Sequence, residues 1–209
     1  MKLKKIASLA LAGIMAISML TACGNNGDSD KKPGEGTPEV TPVTGVAASI
    51  NAELDENKDV ISFDDNETLA NLVKTYFDTN PIKADFWNQA ANNVSDMSTQ
   101  ASAINSVFGA DKTGRSDVTT MLADKTQTNK QSGLVVYGFN AKWFNQDAIL
   151  KYVGQLVDSL DLPEDGNTTN DGKVYDYSGS VAAVKVESAG GSESVWVVAV
   201  EITKDYVNG

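Results

Sequence analysis

Apolar positions along the 209-residue chain follow three rhythms, each predicting a different kind of element. The first is an unbroken run from Ile6 to Leu20, interrupted only by small residues such as Ser8, Gly13 and Ser18. It is shorter than the roughly 20 residues a helix needs to cross a bilayer core. From Gly24 to Gly45 the rhythm disappears into Gly, Pro, Asn, Asp, Ser and Thr. Such a stretch buries too little surface to offset its ordering entropy, so it predicts a flexible tether with an r.m.s. span of about 25 Å.

The second rhythm has the helical period. Leu69, Leu72, Val73, Tyr76 and Phe77 predict a helix, with Asp65 and Asn66 as capping residues and Asn80-Pro81 as its stop. Trp87, Ala90, Val94, Met97, Ala101, Ile104 and Phe108 alternate spacings of three and four, which predicts one continuous helix over 84–108. Its other face is neutral and rich in amides and hydroxyls, including Asn88, Gln89, Asn92, Asn93, Ser95 and Asn105. That face reads first as the solvated back of a core helix, and second as a surface binding glycan or peptide through neutral hydrogen bonds. Ser116 is placed to cap a short helix burying Val118, Met121 and Leu122. Ala148, Ile149, Tyr152, Val153, Leu156, Val157 and Leu160 predict an amphipathic helix over 145–160, ended before Pro163.

The third rhythm is that of strands. Val60 to Phe63 is a short apolar run, a strand or a buttress to the helix after it, and Leu134 to Phe139 reads as a buried strand. Val174–Glu187 and Val195–Asp205 are two long β-signals joined by "SAGGSE", the chemistry of a hairpin turn. "ADKTQTNKQSG" and "EDGNTTNDG" read as exposed loops. Helices followed by a hairpin, without regular βαβ alternation, predict an α+β domain over residues 46–209. In it, N-terminal helices pack on a small antiparallel sheet with a C-terminal β-hairpin. One sheet face reads as apolar and the other as turning polar toward both ends.

Composition changes the picture at the N-terminus. Lys2, Lys4 and Lys5 precede the short apolar run, and small residues close it, the arrangement of an export signal. Leu20-Thr21-Ala22-Cys23 then resembles the lipobox of bacterial lipoproteins, over roughly the first 24 residues. The resemblance implies removal of residues 1–22, diacylglycerol on the Cys23 thiol, and a mature protein anchored to the outer face of the cell membrane. Two acyl chains give the stable anchoring that one does not. Residues 23–45 are then the lipidated cysteine and its tether.

Cys23 is the only cysteine, so no disulfide forms within the chain and a hydrophobic core must hold the domain together. Net charge is −11, and loss of residues 1–22 with their three lysines leaves −14. So acidic a surface disfavours nucleic acid and flat docking on anionic lipid. The neutral tether and small acidic domain suit a Gram-positive surface.

The chain has no histidine, which excludes Ser-His-Asp and Cys-His catalysis and imidazole-dependent zinc sites. Neither a phosphate-binding glycine loop nor a dinucleotide fingerprint is present. A carboxylate pair or a Ser-Lys dyad remains possible, and Asp147, Asp158 and Asp161 sit on or near one predicted helix. "DENKDVISFDD" resembles an EF-hand or dockerin calcium loop. Asp55, Asn57 and Asp59 fall at its positions 1, 3 and 5, and Asp65 falls at the last ligand position if one residue is deleted. Val60 stands where the loop needs a glycine for its sharp turn, so the stretch reads as an acidic turn without metal. The sequence therefore predicts a non-enzymatic binding or interaction domain without cofactor. Its partners are the membrane, through Cys23, and an extracellular ligand or surface protein. The competing class is a carboxylate-dependent hydrolase acting on cell-wall or extracellular glycan or peptide.

Overall fold

A computed structural model describes residues 38–87, 94–162 and 173–208. The predicted export signal, Cys23, most of the tether and the loop "EDGNTTNDG" lie outside the described residues. The elements run β1 (Glu39–Val43), α1 (Val46–Asn51), β2 (Phe63–Asp65), α2 (Glu67–Thr79), α3 (Ala84–Trp87), β3 (Val94–Asp96) and α4 (Ser98–Phe108). They continue with β4 (Lys112–Thr113), α5 (Arg115–Ala123), β5 (Gln131–Asn140), α6 (Gln146–Asp158), β6 (Lys173–Glu187) and β7 (Ser194–Asn208). The fold is α+β, built on one seven-stranded sheet.

The predicted hairpin is the spine of that sheet. β6 and β7 pair antiparallel along their whole length, from Lys173 opposite Asn208 to Glu187 opposite Ser194. β5 joins the other edge of β7, from Gln131 opposite Lys204 to Asn140 opposite Val195. The main order is β1-β6-β7-β5-β3, and two short strands, β2 on β6 and β4 on β5, add parallel pairs.

Period-two alternation sorts the side chains of these strands onto two faces. Val135, Tyr137, Phe139, Val198, Val200, Ile202, Val181 and Ala183 point to one core, shared with α1, α5 and α6. Leu134, Val136, Ala182, Val184, Val186, Val195, Val197 and Ala199 point to the other, shared with α2 and α4. Both faces are therefore covered, where the alternation predicted one apolar face and one turning polar. Val195, Val197 and Ala199, on the face read as turning polar toward its ends, are fully buried in the second core.

Three boundaries also differ from expectation. The stripe over 84–108 is not one helix: it carries α3, β3 and α4, with residues 88–93 outside the described residues. Val94 packs toward the first core, whereas Met97, Ala101 and Ile104 belong to the second, so one apolar spacing serves elements of different type. The domain also begins before Val46. Glu39–Val43 form an edge strand on β6, of which only Val40 is buried, and Pro42 is tolerated because an edge leaves one side of the ladder unpaired. Finally, Gly114 rather than Ser116 precedes α5, because its φ of 87° makes the turn out of β4; Val118, Met121 and Leu122 are buried as predicted.

Polar side chains pin the layers. Asn66 caps α2 by accepting from the Leu69 N–H at 2.9 Å, and its amide donates to Ser180 Oγ on β6. Asp65 serves a different helix, accepting from the Ala47 N–H of α1 at 2.8 Å. Lys204 is 2% exposed. Its ammonium donates to the carbonyls of Leu122 (3.0 Å), Met121 (3.4 Å) and Asp124 at the end of α5, and lies 4.1 Å from the Tyr175 ring centroid. A cation there complements the negative end of the helix dipole. Burial pulls its pKa down, and the Asp124 carboxylate opposes that shift.

Candidate functional site

The end of the sheet beside the β6–β7 turn gathers all three tryptophans of the chain. β5 finishes at Asn140, which is 5% exposed and acts as a bracket. Its amide donates to the Trp87 carbonyl of α3 at 2.7 Å, and its Oδ1 accepts from the Lys142 N–H at 3.0 Å. The N–H groups of Trp143 and Phe144 return to the Asn140 carbonyl, and Ala141 N–H donates to the Ser194 carbonyl at 2.9 Å. This turn sends its two aromatics in opposite directions. Phe144 packs edge-on against Phe139 in the core, while Trp143 stands 53% exposed with the Lys142 ammonium 5.3 Å from its ring centroid.

Facing the turn is the hairpin loop, shaped by Gly190 and Gly191 at φ of 102° and 68°, values a side chain rarely adopts. It is closed by Ser188 N–H donating to the Glu193 carbonyl at 2.9 Å. Between loop and turn lies an open depression of about 460 Å³, walled by Trp87, Trp143, Ser192, Glu193 and Ser194.

Trp196, opposite Phe139 in the ladder, belongs to the other face of the same end. Its indole N–H donates to the Phe144 carbonyl at 3.1 Å, and Lys185 lies 5.7 Å from its ring. Lys185 also bonds Glu187 at 2.6 Å, and Glu187 sits directly across from Glu39. A second depression of about 370 Å³ lies here, shallower in form.

Chemically this end offers broad aromatic faces ringed by hydroxyls, amides and a few balanced charges. An indole face gives large contact area at small entropic cost, and suits flat or ring-shaped ligands with polar edges. The two glutamates face each other across β1 and β6, and Glu187 is ion-paired with Lys185.

The residues of the calcium-like stretch take other roles. Asn57 is buried, and its amide donates to the carbonyls of Val157 (3.3 Å), Asp158 (2.7 Å) and Leu160 (3.0 Å), closing the end of α6. The N–H groups of Asp55, Glu56 and Asn57 all donate to Asp158 Oδ1 at 2.9 Å. Asp55 and Asp59 face solvent, and Asp65 caps α1, so the four predicted positions do not converge. Among the described residues, no group of three or more Cys, Asp or Glu is arranged to hold a metal. Asp158 is thus an anchor for this turn, separate from Asp147 and Asp161.

The predicted amide surface is described only in part. Asn105 turns inward, donating to the Ala110 carbonyl and Thr113 Oγ1 and accepting from the Ala110 N–H, while residues 88–93 lie outside the described residues. Sequence reasoning missed the tryptophan-bearing end because its residues are far apart in the chain. The only local signal was the pair of turn-like stretches after β5 and before β7. Among the described residues no helix is long and apolar enough to cross a membrane. No protein-family model matches the chain, and comparison with curated proteins and with solved structures returns no match.

Proposed function

We propose that this protein is a lipid-anchored bacterial surface protein whose domain is a non-catalytic binding module, engaging an extracellular glycan through the tryptophan-bearing end. The observation that carries the reading is Trp143, half exposed beside Trp87 over a depression walled by serines and a glutamate. An exposed indole offers a large, rigid contact face at small entropic cost, with its N–H available to a polar partner. A sugar ring offers an apolar C–H face to the indole and hydroxyls to the rim.

The chain enters the domain at this same end, since Glu39 of β1 pairs with Glu187 beside the hairpin loop. With Cys23 lipidated, only residues 24–38 separate the anchor from this end of the domain. The binding face then works within the wall layer close to the membrane.

The test uses purified protein, wild type and Trp143→Ala, in co-sedimentation with isolated peptidoglycan and on a glycan array. Retention by wild type and its loss in the variant, with unchanged thermal stability, is the expected result. Release of soluble fragments from the peptidoglycan would instead establish the hydrolase class. The anchor is tested separately: a labelled fatty acid should mark the wild-type protein and not Cys23→Ala, and label in the variant would overturn it.

A further inference from the structure

Away from the tryptophans, α5 and α6 lie on the same sheet face but leave a gap between them. The gap is a cleft of about 290 Å³, floored by Val135, Val200 and Ile202 and lined mainly by apolar side chains. Small-molecule sites have this character, an apolar bed with a few directional polar groups, and this volume lies at the small end of their range.

Of the polar side chains that line the cleft, Thr119 and Ser159 bond back to their own helices, and three others are left for a ligand. Tyr137 is 8% exposed, and its hydroxyl makes no hydrogen bond among the described residues. The ring is buried but the hydroxyl oxygen is not fully enclosed, so it is open to bond a molecule seated in the cleft. Arg115, at the start of α5, is the only arginine in the sequence. Its guanidinium has no ion-paired or hydrogen-bonded partner among the described residues; only its backbone N–H is bonded, to Asp96 at 3.4 Å. Asp161, just beyond α6, lines the α6 side of the cleft and makes no hydrogen bond or ion pair among the described residues.

Arg115 and Asp161 thus line one small cavity with opposite charge and form no ion pair with each other. A guanidinium matches a carboxylate in fork geometry, and a carboxylate matches an ammonium. A simple fatty or aromatic acid would meet Asp161 and the acidic domain, and a simple amine would meet Arg115. A molecule carrying both charges satisfies both walls.

We propose that the α5–α6 cleft is a binding site for a free α-amino acid with an apolar side chain. The side chain rests on Val135, Val200 and Ile202, the carboxylate meets Arg115 and the Tyr137 hydroxyl, and the ammonium meets Asp161. This site is independent of the tryptophan-bearing end and does not rest on the glycan reading.

Isothermal titration of the full chain with L-leucine and L-phenylalanine tests it, alongside phenethylamine and 3-phenylpropionate, which each keep one charge. Saturable one-site binding of at least one amino acid is expected, weakened roughly tenfold or more for either single-charge analogue. Arg115→Gln and Asp161→Asn should each weaken binding by a similar factor. Both residues are exposed, so the melting temperature without ligand should not move. Trp143→Ala should leave amino-acid affinity unchanged. Absence of saturable binding by both amino acids overturns the proposal, as does equal binding of a single-charge analogue or affinity indifferent to Arg115→Gln. Loss of binding in Trp143→Ala would place the site elsewhere and overturn it too.

Discussion

Asp158 and Asn57 hold each other reciprocally. Asp158 Oδ1 accepts from the Asn57 N–H at 2.9 Å, while the Asn57 side-chain amide donates back to the Asp158 carbonyl at 2.7 Å. Two further backbone N–H groups converge on the same carboxylate oxygen, and the amide also reaches Val157 and Leu160. The turn after α1 and the last turn of α6 are thereby one unit.

Replacing Asn57 by Ala leaves helix-terminal carbonyls without their donor at a buried place. The expected cost is about 2 kcal/mol in chemical unfolding. A loss below a few tenths would mean that water replaces the amide.

Asp158 also makes a prediction about acid. The hydrogen bonds it accepts, that from Asn57 first, hold its carboxyl below the ordinary 3.8. A depressed carboxyl stabilises the fold at pH above its unfolded value, and that contribution is lost as pH falls through the folded one. Unfolding free energy measured below pH 4 should therefore fall more gently in Asp158→Asn than in wild type. Parallel curves would show that the carboxylate is not the group responsible.

Tyr137 makes the complementary prediction for alkali. Burial raises its pKa from 10.0 to about 12, so the folded state favours the neutral phenol. That preference is fully present below pH 10 and disappears as pH rises toward 12. Stability should decline across this interval, and less steeply in Tyr137→Phe, as read by urea unfolding at a series of pH values.

Two glycines should respond unequally to a methyl group. A Cβ at Gly179 would stand 2.2 Å from the ring of Phe63, itself buried where β2 joins β6. At Gly138 the nearest atoms are the sulfur of Met97 and the far end of the Phe86 ring, both at 2.7 Å. A methionine bends away more readily than a ring wedged between strands. Gly179→Ala should cost about 3 kcal/mol or more and Gly138→Ala clearly less, with melting temperature as the measure.

Lys204→Met keeps the aliphatic bulk and removes the ammonium that serves the Met121, Leu122 and Asp124 carbonyls. The expected loss is about 2 kcal/mol, with the protection of α5 amides against hydrogen exchange falling more than that of α6. Equal loss in both helices would mean that the cation supports the sheet and not the end of α5.

Elements whose own residues carry the whole signal were legible in the sequence. α2, with Asn66 as its cap, α6, β5 and the β6–β7 hairpin were all readable from local period and turn chemistry. β1 was not, because "EVTPV" buries one side chain and is a strand only by virtue of β6 beside it. The stripe over 84–108 misled for a related reason: spacings of three and four also arise when a short strand and two helices line neighbouring cores. Asp55, Asn57 and Asp59 resembled metal ligands because a loop that caps a distant helix needs the same acidic and amide side chains. The tryptophan-bearing end depends on Trp87 and Asn140 meeting across many residues, which no local pattern encodes.

The placement of β7 between β6 and β5 governs when this domain is able to form. β1 finds its partner in Val186 and its neighbours, β2 in Gly179 to Val181, and β5 in the residues up to Lys204. Until the last strand has been made, earlier segments have helices and short strand pairs but no sheet on which to assemble. Long-range pairing of this kind slows collapse, since loop closure precedes the contacts that reward it. Because the chain is made from its N-terminus, the domain closes only once its C-terminal strand is available to join β6 to β5.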